Sequence, residues 1–140
     1  MKHPSVVEIR SLCQAVEESI ARKTLVARHR SYDCLPGESE RSAFVDAGGR
    51  VRKLVRKGGS EDSAVTVEHC FDEAGQLRFA FFTAGAVNDS VLKLRRYFDA
   101  AGKMLWEQRD LTGPGYTWVL DIWLVPRAPK DPLAAPPLCP

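Results

Sequence analysis

The strongest constraint on this chain is a short pattern that occurs three times. Val45-Asp46-Ala47-Gly48-Gly49-Arg50-Val51 superposes on Phe71-Asp72-Glu73-Ala74-Gly75-Gln76-Leu77. Both superpose on Phe98-Asp99-Ala100-Ala101-Gly102-Lys103-Met104, at offsets of 26 and 27 residues. Each copy reads apolar, Asp, two small or polar residues, Gly, polar, apolar. Asp opens a turn by accepting bonds from nearby backbone amides, and Gly takes the positive φ of a bulged hairpin loop. Three hairpins therefore lie between residues 41 and 110, and each supplies two strands. Turn-rich segments separate them at Gly58–Ser63 and Gly85–Ser90. Beyond Thr112-Gly113-Pro114-Gly115, the alternation of Tyr116, Trp118, Leu120, Ile122 and Leu124 predicts one more strand over 116–125.

Residues 5–23 predict a helix. Ser5 and Glu8 form a capping box behind Pro4, and Val6, Ile9, Leu12, Cys13, Val16 and Ile20 make one apolar stripe. The stripe must be buried against another layer, which the strands provide. Residues 24–40 read as irregular, with a turn at Pro36-Gly37. The fold class is thus α+β. One N-terminal amphipathic helix packs on a roughly seven-stranded antiparallel meander built from three hairpin repeats. Residues 1–125 form a single domain. Residues 126–140, with six prolines and no periodicity, read as a disordered tail.

Strand alternation assigns faces. Val51, Leu77 and Met104 coincide in the repeat, as do Lys53, Phe79 and Trp106. With Phe71, Phe81 and Phe98 they form the face expected beneath the helix. Arg52, Arg56, Arg78, Arg95, Arg109, Thr66, Glu68 and Lys93 fall in the set expected to face water. Replacing Phe79 by Asp is expected to prevent folding by burying an unpaired charge.

Twenty basic and eighteen acidic side chains give a net charge of +2. The basic excess peaks at Arg50, Arg52, Lys53, Arg56 and Lys57. A nucleic-acid reader interleaves such a cluster with aromatics, which this one lacks, so a solvated strand face is the better reading. No apolar run approaches the ~18 residues of a membrane span. No charged-then-apolar leader opens the chain, so a signal peptide either was removed or never existed.

Enzyme motifs (GxSxG, HExxH, a phosphate loop, GxGxxG) do not occur. No cofactor or metal is expected, since neither the cysteines nor His3, His29 and His69 have ligand spacing. Cys13, Cys34, Cys70 and Cys139 are either reduced in a cytosolic protein or partly paired in an exported one. Cys13 and Cys34 flank the helix exit and are the expected pair. Cys70 beside His69 is not a catalytic dyad, because adjacent strand residues point to opposite faces.

Three polar side chains, Lys53, His69 and Arg96, fall on the face expected beneath the helix. One reading is a basic site for a carboxylate or phosphate. The simpler reading is a wet rim, because one helix cannot cover seven strands.

The strings Cys70-Phe71-Asp72-Glu73-Ala74-Gly75-Gln76-Leu77 and Tyr97-Phe98-Asp99-Ala100-Ala101-Gly102-Lys103-Met104 resemble the bacterial YD-type β-hairpin repeat. They also resemble the hairpin repeats of antitoxin-like proteins. The resemblance covers residues 41–110, and the spacing departs from the shorter YD period. It implies a bacterial protein that binds or shields something, and it carries over no catalytic residue. Three functions are therefore carried forward. The first is a non-enzymatic binding or interaction module, exported to the periplasm or beyond. The second is an immunity- or antitoxin-like protein with a protein partner. The third is a binder of a small acidic ligand, or an enzyme, with a pocket between helix and sheet. The sequence leaves the partner, the compartment and the oligomeric state open.

Overall fold

A computed structural model describes residues 4–32 and 37–134. Helix α1 (Pro4–Ala21) is followed by seven strands: β1 (Val26–Ser31), β2 (Gly37–Val45), β3 (Val51–Gly59), β4 (Ser63–Phe71), β5 (Leu77–Ala86), β6 (Val91–Phe98) and β7 (Met104–Thr112). They form one antiparallel sheet whose spatial order is the sequence order. The expected α+β meander is the architecture found. The helix ends where Lys23 turns left-handed at φ 60°, with the Lys23 amide bonded to the Ile20 carbonyl.

The three Asp-x-x-Gly turns close with the same hydrogen bonds. In the β4–β5 turn, Asp72 Oδ1 accepts from the Ala74 and Gln76 amides at 2.9 and 3.0 Å, and Gly75 N donates to the Asp72 carbonyl. Asp46 and Asp99 make the equivalent bonds in the β2–β3 and β6–β7 turns. Gly49, Gly75 and Gly102 take φ of +79°, +83° and +92°, where a Cβ is strained.

Each turn is followed by a register shift: Phe44/Val45, Cys70/Phe71 and Tyr97/Phe98. A bulge puts two residues opposite one and so inverts the alternation. Phe71 pairs with Leu77 while Cys70 pairs with Phe79, so Leu77 and Phe79 lie on opposite faces. The expected helix-covered set therefore splits. Phe71, Leu77, Val51 and Phe98 belong to the main core on the face away from the helix, with Leu54, Val67, Phe82, Leu92 and Leu94. Phe79 joins Val6, Ile9, Cys13, Tyr97 and Trp106 in a smaller cluster under α1.

Three further expectations are corrected. Residues 26–31, read as irregular, form edge strand β1. Its six residues are all exposed, so no apolar periodicity marks them. Residues 116–125 are not a strand. They carry a 3-10 turn, Asp121–Trp123, within a segment that crosses the face away from the helix. The meander reaches seven strands because β1 replaces that expected last strand. Residues 126–134 of the Pro-rich tail pack on the sheet, and 135–140 lie outside the described residues. Pro126 O accepts from Leu77 N, Ala128 N donates to Gly75 O, and Leu133 O accepts from Arg30 and Tyr32. Residues 113–134 thus act as a strap, contributing Trp118, Leu120, Trp123, Leu124, Val125 and Ala128 to the main core. The strap crosses strands instead of joining them, so the alternation over 116–124 does not mark a strand.

Candidate functional site

The structure does not bring Lys53, His69 and Arg96 together. Lys53 pairs across the ladder with Cys70 and faces the helix, whereas His69 pairs with Leu54 and Ala80 and faces the strap. Arg96 is also opposite Ala80, one strand further on. Each is occupied by the protein's own groups. His69 is fully buried. Its Nδ1–H donates to the Leu54 carbonyl at 3.1 Å, and its Nε2 accepts from the Val125 amide at 3.0 Å. Those partners fix a neutral tautomer, and burial lowers its pKa to about 4. Arg96 donates to Glu107 at 2.8 Å and to Asp121 at 2.9 Å. His69 and Arg96 are strap anchors, so the basic anion site drawn from these three residues does not form.

One further anchor, Arg56, came from the supposed wet cluster, and another, Arg41, was not singled out in the sequence. Arg56 is 4% exposed. With Arg41 it clamps the fully buried Glu38 carboxylate, through bonds of 2.7–3.1 Å. Burial alone would raise the Glu38 pKa, but the hydrogen bonds from Arg41 and Arg56 outweigh it and hold the carboxyl below its ordinary value. The spare guanidinium nitrogens donate to the strap, Arg56 to Trp123 O at 2.9 Å and Arg41 to Pro132 O at 3.2 Å. Trp123 is buried over Gly58. A Cβ on Gly58 would stand 2.5 Å from the Trp123 ring.

On the helix side, the expected Cys13–Cys34 pairing is replaced. Cys13 is bonded to Cys70, with 5.9 Å between the Cα atoms. Helical spacing aims Ile9, Cys13 and Val16 inward, and strand alternation aims Cys70 at them. Cys34 lies outside the described residues. Cys70, as half of a disulfide, has no thiol to serve as a nucleophile.

The disulfide forms one wall of a cleft of about 340 Å³ between α1 and the sheet. Phe79, Phe81 and Tyr97 floor it, and Arg10, Gln14 and Glu17 rim it from the helix. Lys53 at the opposite rim bonds to Glu17 and, at 3.1 Å, to Glu68. Burial would depress the Lys53 pKa, but the two carboxylates more than offset it and keep it raised. Arg10 is different. Its Nε donates to the Tyr97 hydroxyl at 3.1 Å, and its guanidinium lies 5.5 Å from the Tyr97 ring centre and 5.8 Å from that of Trp106. Among the described residues it has no carboxylate partner. The cleft thus offers an apolar aromatic floor and one guanidinium not yet neutralised. Helical periodicity pointed to the inner face of α1, but Arg10 lies outside its apolar stripe. Nothing in the pattern signalled its ring partners, which lie more than eighty residues away.

Compared with protein-family models, curated proteins and solved structures, the chain matches none.

Proposed function

We propose that this protein is a non-enzymatic binding module whose ligand site is the helix–sheet cleft. The ligand class is a small carboxylate with an apolar or aromatic body. The observation that carries this reading is the pairing of Arg10 with the cleft's aromatic floor. The body stacks on Phe79 and Phe81, and the carboxylate takes the Arg10 guanidinium bidentately. A cleft of this volume suits a compact ligand, at the lower end of the usual ~300–1,000 Å³ range. Glu17 and Glu68 together outweigh the single charge of Lys53 and repel a second negative charge, so dianions bind less well. The Cys13–Cys70 bond supports work in an oxidising setting outside the cytosol.

The test is isothermal titration with aryl- and alkyl-carboxylates and their matched amides, on native protein and Arg10→Met. Carboxylates should bind and amides should not, and Arg10→Met should weaken binding about tenfold or more in a protein that stays folded, its melting lowered only by the lost Tyr97 and Trp106 contacts. Equal affinity for acids and amides, or an unaffected Arg10→Met, would overturn the reading.

A further inference from the structure

The sheet has two open edges, β1 and β7, each hydrogen-bonded to one neighbour. An open edge exposes unpaired backbone donors and acceptors and is a template for another strand. The two edges are built differently. β1 reads Val-Ala-Arg-His-Arg-Ser. Paired with itself antiparallel about His29, it opposes Arg28 to Arg30 twice, which repels.

β7 reads Met-Leu-Trp-Glu-Gln-Arg-Asp-Leu-Thr. Antiparallel pairing about Gln108 sets Glu107 opposite Arg109 of the second copy, and Arg109 opposite Glu107. The same register sets Leu105 against Leu111 at both ends. These leucines are 37% and 44% exposed in the single chain. Moving the centre by one residue either way opposes Glu107 to Glu107 or Arg109 to Arg109, so one register is selected by charge. The groups are also available. Arg109 has no acidic partner among the described residues, and Glu107 uses Oε2 for Arg96, leaving Oε1.

We propose that β7 is a homodimerisation edge. Two copies join antiparallel about Gln108 into one continuous fourteen-stranded sheet, this being twice the seven strands of each copy. The two-fold axis is perpendicular to the sheet, so each strap-covered face continues into its partner's. Cross-strand ion pairs and leucine contacts reinforce the backbone ladder. Trp106 of β7 lies beside Arg10 at the cleft, but the dimer is read by sedimentation without any ligand, so this proposal is tested separately from the ligand reading.

The experiment is sedimentation equilibrium of the full chain over the micromolar range, with Arg109→Glu, Glu107→Arg and Leu111→Lys alongside. Native protein should dimerise. Arg109→Glu and Glu107→Arg each place like charges opposite one another, and should weaken self-association about tenfold or more. Mixed in equal amounts, they should recover a dimer, because every pairing is again opposite in sign. That recovery also shows that both variants are folded. Leu111→Lys should weaken the dimer without any change at the central pairs. A native chain that stays monomeric, or a dimer that none of the variants weakens, overturns the proposal.

Discussion

The two faces of the sheet are covered in opposite ways. The strap face has a broad apolar core running from Ala43 to Leu94, and polar anchors that are buried with every partner supplied. Among the described residues, no covalent bond crosses it. The helix face buries only a small cluster around Val6, Ile9 and Tyr97, and a disulfide crosses it. The difference shows what each cover lacks. The strap is irregular and has no internal ladder, so its carbonyls and amides need Arg41, Arg56 and His69 to satisfy them, while Arg96 holds it through the Asp121 carboxylate. The helix satisfies its own backbone but presents a stripe too narrow to hold it down, so the covalent link supplements the packing. The cleft exists on the helix face because packing there is incomplete.

The comparison can be broken most severely at Glu38. Glu38→Gln leaves two buried guanidiniums without a counter-charge and should cost about 3–5 kcal/mol in urea unfolding. A loss under about 1 kcal/mol would mean that the ion cluster does not hold the strap. Next comes the disulfide. On the chain-entropy account, its sequence separation of 57 is worth about 4 kcal/mol or less. In Cys13→Ala/Cys70→Ala, amide exchange should accelerate through α1 while β3–β5 stay protected. If helix and sheet lose protection together, the faces are one cooperative unit and the contrast fails.

A third effect is pH. His69 binds its proton less readily in the folded state (about 4) than in the unfolded chain (near 6.5), so falling pH favours unfolding. The stability due to its neutral form is full above pH ~6.5 and is lost progressively towards pH 4. That amounts to roughly 3 kcal/mol if the whole shift is realised. Glu38 acts in the same direction at lower pH, as its depressed carboxyl protonates. His69→Gln should be less stable at neutral pH yet show a flatter slope between 6.5 and 4. An unchanged slope would remove His69 as its cause. The smallest effect belongs to the turns. Asp46→Ala deletes two exposed side-chain bonds to the Gly48 and Arg50 amides, and should cost about 1 kcal/mol in thermal unfolding. A loss as large as that for Glu38→Gln would place folding control in the hairpins instead.

How much was legible in the sequence follows the same division. Short-range chemistry could be read directly: the 3.6-residue period of α1, the Asp and Gly of each turn, the strands beside them. What depended on distant partners could not. Cys13 meets Cys70 only once the sheet exists. Arg56 looks solvated until Glu38 and the strap enclose it. Tyr116 to Leu124 alternate like a strand, yet several of their apolar residues are buried by crossing the sheet. The bulges misled more subtly. Each turn was recognised, but its extra residue inverts the faces beyond it, sending Phe71 and Phe98 to the core opposite the helix. Among the candidate site residues, Lys53 does line the cleft, but His69 and Arg96 serve the strap.

The strap also sets a schedule for folding. The hairpins can close as soon as they are made, since their partners are near in sequence. The strap cannot, because Val125 must find His69 across 56 residues and Leu133 must find Arg30 across 103. While the chain is being synthesised, Phe71, Phe82 and Leu94 therefore wait uncovered on a sheet that is otherwise paired. That interval ends only when residues 113–134 arrive. Aggregation, proteolysis and chaperone capture all compete within it, so yield on expression should track how quickly the strap docks rather than how stable the finished protein is.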